Sequence, residues 1–111
     1  MIDFGVKQTL ETKVEKTPMQ IFEQLRNALQ PRKWQLLAFD EATGQIKCET
    51  LPAMSNGETV TIWVEPLTEK QSKVGIVSEP VHLINLAFFE FPVDFGKNIR
   101  NVNLVERIVT A

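Results

Sequence analysis

Glu58-Thr59-Val60-Thr61-Ile62-Trp63-Val64-Glu65-Pro66-Leu67 places Val60, Ile62 and Val64 at every second position, with Thr59, Thr61, Trp63 and Glu65 between them. Successive side chains of an extended chain point to opposite faces, so this period of two predicts a strand with one buried side. The same pattern repeats on either side. Downstream, Thr68 to Ser72 is a polar turn, and Lys73 to Glu79 gives a strand through Val74, Ile76 and Ser78 that Pro80 interrupts. Upstream, Pro52 to Gly57 is a loop in which Asn56-Gly57 marks a tight reversal. Before it come a strand from Gln45 to Leu51, a turn from Asp40 to Gly44 whose glycine can take positive φ, and a strand from Trp34 to Phe39. Four strands joined by short turns predict an antiparallel meander.

The flanks supply the covering layer. Phe4, Val6, Leu10 and Val14 alternate with Lys7, Thr9, Glu11 and Lys13, which predicts a further strand over Phe4 to Val14. Thr17-Pro18-Met19-Gln20 then opens a helix. The Thr17 hydroxyl suits an N-cap, Pro18 needs no N–H in the first turn, and Gln20 completes a capping box. Ile21, Phe22, Leu25, Ala28 and Leu29 form its apolar stripe, and Pro31 stops it. Near the other end, Asp94 is a candidate N-cap for a helix carrying Ile99, Val102, Val105, Ile108 and Val109 on one face. Those β-branched residues are weak helix formers, so this helix depends on docking against the sheet.

Between meander and last helix lies Val81-His82-Leu83-Ile84-Asn85-Leu86-Ala87-Phe88-Phe89-Glu90-Phe91, in which eight of eleven residues are apolar. Read as one strand, it puts Val81, Leu83, Asn85, Ala87, Phe89 and Phe91 on one face. His82, Ile84, Leu86, Phe88 and Glu90 take the other. Both faces then need cover. The cover is a helix and loop over a central strand, a second subunit, or an apolar ligand. As a helix the segment would reach only about 16 Å, too short to cross a membrane.

The expected fold is therefore a single α+β domain over residues 1–111, in the order β-α-β-β-β-β-(β)-α. It comprises a curved antiparallel sheet of four to five strands with two helices on one face. A chain of 111 residues, 43% apolar and 23% charged, can bury a core unaided. A net charge of −2 gives no overall pull toward nucleic acid. The single cysteine, Cys48, excludes an internal disulfide, and its place in Ile46-Lys47-Cys48-Glu49-Thr50 makes it a small core-facing residue. The single histidine, His82, excludes metal motifs that need two. The residues after Met1 lack the basic start and apolar block of a secretory leader, so a cytoplasmic location is expected.

Several of these residues resemble an uncharacterised bacterial family, number 1499 among the domains of unknown function. The likeness runs from about Val14 to Val109. It rests on Val14 to Pro18 entering a helix, on Trp34 opening a strand, and on the Asp40 to Gly44 turn. Asp94, Gly96 and Asn98 alternate at the entry to the last helix. The resemblance implies a fold rather than an activity, and the apolar segment before Asp94 departs from the family's pattern. The element order is also similar to the small curved-sheet folds of the lipid-transfer and TATA-box-binding type, a likeness of architecture alone.

Candidate sites are sparse. His82 could serve as a general base, but no serine or cysteine is spaced to partner it. Arg32-Lys33-Trp34 could stack a nucleobase, yet two cations at a helix exit read more simply as a solvated turn. Asp94, Gly96 and Asn98 at a helix start suit capping better than anion binding. Glu49, Glu58 and Glu65 could pair for acid–base chemistry only if strand register brought two together. No glycine-rich phosphate loop, metal cluster or nucleophile with histidine is present. The functional expectation is a non-enzymatic binding or assembly domain. It self-associates as a homodimer through an apolar sheet surface made by Trp63, His82, Ile84, Leu86, Phe88, Phe89 and Phe91. The alternative is a carrier holding a small apolar ligand between the sheet and the C-terminal helix. No catalytic residue, cofactor, metal, nucleic acid or transmembrane segment is expected in either reading.

Overall fold

A computed structural model describes the backbone of residues 7–50, 57–80, 84–86, 89–91 and 97–111, and the side chains of residues 7–50, 57–79 and 98–111. The chain runs β1 (Gln8–Val14), α1 (Pro18–Leu29), a 3-10 turn (Gln30–Arg32), β2 (Gln35–Asp40), β3 (Gln45–Glu49), β4 (Glu58–Pro66) and β5 (Ser72–Pro80). It continues through β6 (Ile84–Leu86) and β7 (Phe89–Phe91) to α2 (Lys97–Thr110). The first five strands form one antiparallel sheet in the order β1-β5-β4-β3-β2, so this is the expected α+β fold. The meander β2 to β5 is sequential, and β1 is added beside β5.

That order obliges the chain to travel from one edge of the sheet to the other after β1. Four strand spacings make about 19 Å. The twelve residues of α1 supply about 18 Å as a helix. The helix starts where the capping residues say it should. Thr17 Oγ1 accepts from Gln20 N–H at 3.3 Å, and Gln20 Oε1 accepts from Thr17 N–H at 2.8 Å. Pro31 ends it at Leu29, the 3-10 turn tightens the exit, and Lys33 takes a left-handed conformation at φ 60° to start β2.

Register fixes the buried face. Ile62 stands between Ile46 and Ile76, Val64 pairs with Val74, and Cys48 pairs with Val60. These residues are buried against Ile21, Phe22, Leu25 and Leu29 of α1 and Val102, Val105 and Val109 of α2. Helix α2 packs on β1, β5 and β4, whereas α1 packs on α2 and β4. Lys16 ties the end of α2 to the start of α1, its Nζ donating to Val109 O at 2.8 Å and Gln24 Oε1 at 2.9 Å. At the β3 entry, Gly44 takes φ 73° and its carbonyl accepts from Val64 N–H at 2.7 Å. A side chain there would run into the Val64 backbone, so this is a glycine position by both conformation and space.

The apolar segment departs from the single-strand expectation. Ile84–Leu86 and Phe89–Phe91 form a separate two-stranded antiparallel ladder and do not extend the five-stranded sheet. Ile84 is paired with Phe91, Asn85 with Glu90 and Leu86 with Phe89. Directly paired positions share one side of a ladder. Positions 84, 86, 89 and 91 therefore lie together on one side, where one continuous strand would have split them between two. Val81 to Leu83, Ala87, Phe88 and the Asp94 and Gly96 positions lie outside the described residues. Among the described residues, no helix is long and apolar enough to cross a membrane.

Candidate functional site: a cleft at the uncovered end of the sheet

Because α2 covers β1, β5 and β4, the inner face of β2 and β3 is roofed only by the last turns of α1. The roof is incomplete. A cleft of about 310 Å³ opens there, lined by Leu25, Arg26, Leu29 and Gln30 of α1 and its exit, Trp34, Leu36 and Phe39 beside and within β2, and Ile46 and Cys48 of β3. Most of that lining is apolar. Phe39 also meets Phe22 edge to face, at 5.4 Å between ring centroids. Leu36, opposite Cys48, remains 55% exposed for want of a covering helix.

The polar groups of the cleft sit at its rim. The Arg26 guanidinium carbon lies 4.6 Å from the centroid of the Phe39 ring, which fixes the cation over an aromatic face. Among the described residues, none that is acidic lines the cleft, and Arg26 makes no ion pair. Burial pushes the Cys48 thiol up to about 11, so it is protonated at neutral pH. The lining therefore offers one fixed cation, an amide and a large apolar wall. Among the described lining residues there is no carboxylate or histidine.

A second assembly lies under the start of α2. Glu58 is only 1% exposed. Its Oε1 accepts from Thr50 Oγ1 at 3.0 Å and from Asn101 Nδ2 at 3.1 Å. Asn101 Nδ2 also donates to Ser78 Oγ at 3.1 Å, and Ser78 Oγ donates to Asn98 Oδ1 at 2.7 Å. The chain of bonds joins β3, β4, β5 and α2, and no described buried side-chain atom is left without a partner. Asn98, Asn101, Thr50, Ser78 and Glu58 are all buried, so the network joins sheet to helix and presents no open site.

The residues singled out in the sequence are distributed unevenly. Trp63 is on the outer face, 43% exposed, across from Gly75. Its ring packs over that glycine, with Cε3 3.7 Å from the place a Gly75 Cβ would occupy. Its surroundings are polar: Gln45 on the neighbouring strand, and Lys73 bridging Glu65 at 3.4 Å and Glu11 at 3.8 Å. An aromatic ring laid over a strand glycine is a packing device. Ile84, Leu86, Phe89 and Phe91 occur together in the β6–β7 ladder, which pairs with no strand of the five-stranded sheet. His82 and Phe88 lie outside the described residues. Glu58 belongs to the inner face and Glu49 and Glu65 to the outer one, where they pair with Thr59 and Lys73 rather than with each other. Arg32 and Lys33 are exposed, while Trp34 turns inward to the core and the cleft.

Sequence reading missed the cleft because its residues are scattered over three elements and each looks like ordinary core. One signal was available. Gln35-Leu36-Leu37-Ala38-Phe39 does not alternate, and a bulge does interrupt the β2–β3 ladder between Leu36 and Ala38. The polar network also escapes sequence reading: Asn98 reads only as part of the helix start, and Asn101 carries no reading of its own. They stand seven and four residues before Val105, in phase with its buried face. Ile99, assigned to the buried stripe, is 49% exposed instead.

No family model matches the chain, and no curated protein matches it in sequence. Solved structures share its fold. An uncharacterised protein from Bacillus thuringiensis aligns over 94% of this chain and 93% of its own, with a TM-score of 0.56 at 11% identity. The protein XoxI from Bacillus cereus aligns over 93% and 87%, with a TM-score of 0.55 at 13% identity. A protein from Thermus thermophilus aligns over 92% and 85%, with a TM-score of 0.50 at 12% identity. At these identities the likeness is one of fold.

Proposed function

We propose that this chain is a non-enzymatic binding domain whose cleft between α1 and β2–β3 receives a small amphiphile. The observation that carries the reading is the lining itself: an apolar wall from Leu25, Leu29, Trp34, Leu36, Phe39 and Ile46 with Arg26 and Gln30 at its rim. A few placed polar groups on an otherwise apolar concave surface is the usual form of a small-molecule site. The volume of about 310 Å³ is roughly twice the ~150 Å³ cavity that takes a benzene ring. It therefore suits an apolar body of about ten heavy atoms. A carboxylate or similar anionic head would meet Arg26, which has no competing acid among the lining residues.

This is the carrier reading, with the ligand placed under the first helix. Under α2, Val102, Val105 and Val109 belong to one buried cluster with Val74, Ile76 and Val14. Catalysis is disfavoured by the lack of a carboxylate or histidine among the described lining residues. Decanoate is a fair probe. With Trp63→Phe, Trp34 becomes the only tryptophan, and its emission should shift and saturate as decanoate is added. Arg26→Gln should weaken decanoate about tenfold and leave decanol nearly unchanged. Trp34 emission indifferent to millimolar decanoate and decanol alike would reject the reading.

A further inference from the structure

We infer that the β2 edge of the sheet is a self-association surface, on which the β2 strand of a second copy of this chain pairs antiparallel about a two-fold axis. The sheet has two edges, and only one is defended. On β1, exposed Thr9, Glu11 and Lys13, with Lys7 just before the strand, alternate with the inward side chains, the arrangement that keeps a sheet edge soluble. On β2, Leu36, Leu37 and Ala38 are all exposed, the two leucines at 55% and 45%, and no lysine or arginine stands within the strand. The cations lie just before the strand, at Arg32 and Lys33, and the acids close it, at Asp40 and Glu41. An antiparallel pair of such edges sets the basic end of each copy beside the acidic end of the other. That charge complementarity selects a second copy of this chain as the occupant.

The bulge at Leu37 supports the register. A bulge usually spoils pairing with a regular strand. Two copies of the same bulged strand carry the extra residue at the same place, so a two-fold axis between Leu37 and Ala38 lets the ladder resume on both sides. That register sets Leu36 against Phe39 of the second copy on the inner face, and Gln35 against Asp40 on the outer face. Like faces thus stay together, and Leu36 gains the cover that α1 does not give it.

Sedimentation velocity on the full chain tests this. At tens of micromolar the mass should be twice 12.6 kDa, falling to one chain on dilution. Amide exchange over residues 35–40 should slow as concentration rises, with that over β1 unchanged. Leu37→Lys, at an exposed position, should leave the circular dichroism intact and abolish the dimer. Arg32→Glu should raise the dissociation constant at least about tenfold, and adding Glu41→Arg should restore it. Glu41 is the partner to reverse because Asp40 Oδ1 accepts from Ala42 and Thr43 N–H in the turn. A chain that stays monomeric at every concentration, or a dimer that survives Leu37→Lys with unchanged exchange over residues 35–40, overturns the inference.

Discussion

At the β1 end of the sheet, Val14, Val74 and Ile76 are sealed beneath α2; at the β2 end, Leu36 and Phe39 face a cleft and open solvent. Both ends carry apolar inner faces, and the difference lies in cover. Helix α2 packs on β1, β5 and β4, and α1 packs on α2 and β4. Only the last turns of α1 reach the inner face of β2 and β3, and the apolar surface left open there is available for binding. One end of the sheet therefore holds the fold together, and the other offers contact. Mutations should separate the two.

The largest effect belongs to the sealed end. Ile76→Ala removes a fully buried side chain at the centre of the covered face and should cost about 2–5 kcal/mol in denaturant unfolding, without altering decanoate affinity in the protein that remains folded. Next comes the network under α2. Asn101→Ala withdraws a donor from both Glu58 and Ser78 in a buried setting, and should cost about 2–3 kcal/mol by the same measurement. Gly44→Ala tests the turn that sets β3 against β4. Its positive φ and the nearby Val64 backbone should make it cost about 1–3 kcal/mol.

Much of this is legible in the sequence alone. The period of two through Val60, Ile62 and Val64 and through Leu10 and Val14 specified strands and their inner face. The Thr17-Pro18-Gln20 pattern specified a helix start, and Gly44 a positive φ. These are local rules, and each depends on neighbours within a few residues. The pairing of Ile84–Leu86 with Phe89–Phe91 was not legible, because a continuous apolar run hides a reversal from periodicity. The cleft was not legible either. It exists because only the last turns of α1, and not α2, reach over β2 and β3, and helix placement across a sheet is a matter of packing geometry. The buried Glu58–Asn101 bond pairs residues 43 positions apart, beyond what pattern alone can join.

Two smaller effects sharpen the contrast from the open end. Folding holds the Cys48 thiol at about 11 against its ordinary 9.0. The folded state thus favours the protonated form, and that stabilisation is complete below pH 9. It should be lost between pH 9 and 11, by roughly 1–2 kcal/mol, since only the unfolded thiol ionises in that window. Cys48→Ala should flatten that part of the pH profile relative to the parent chain. Leu36→Ala should cost at most about 1 kcal/mol of stability, since the residue is half exposed, yet it should weaken decanoate binding severalfold.

Methyl-resolved NMR of the chain titrated with decanoate reads both ends of the sheet in one experiment. Leu25, Leu29, Leu36 and Ile46 methyl resonances should move together and saturate, while those of Ile76, Val105 and Val109 stay in place. Shifts centred under α2, or none anywhere at millimolar decanoate, would contradict the division of the sheet into a sealed half and a binding half.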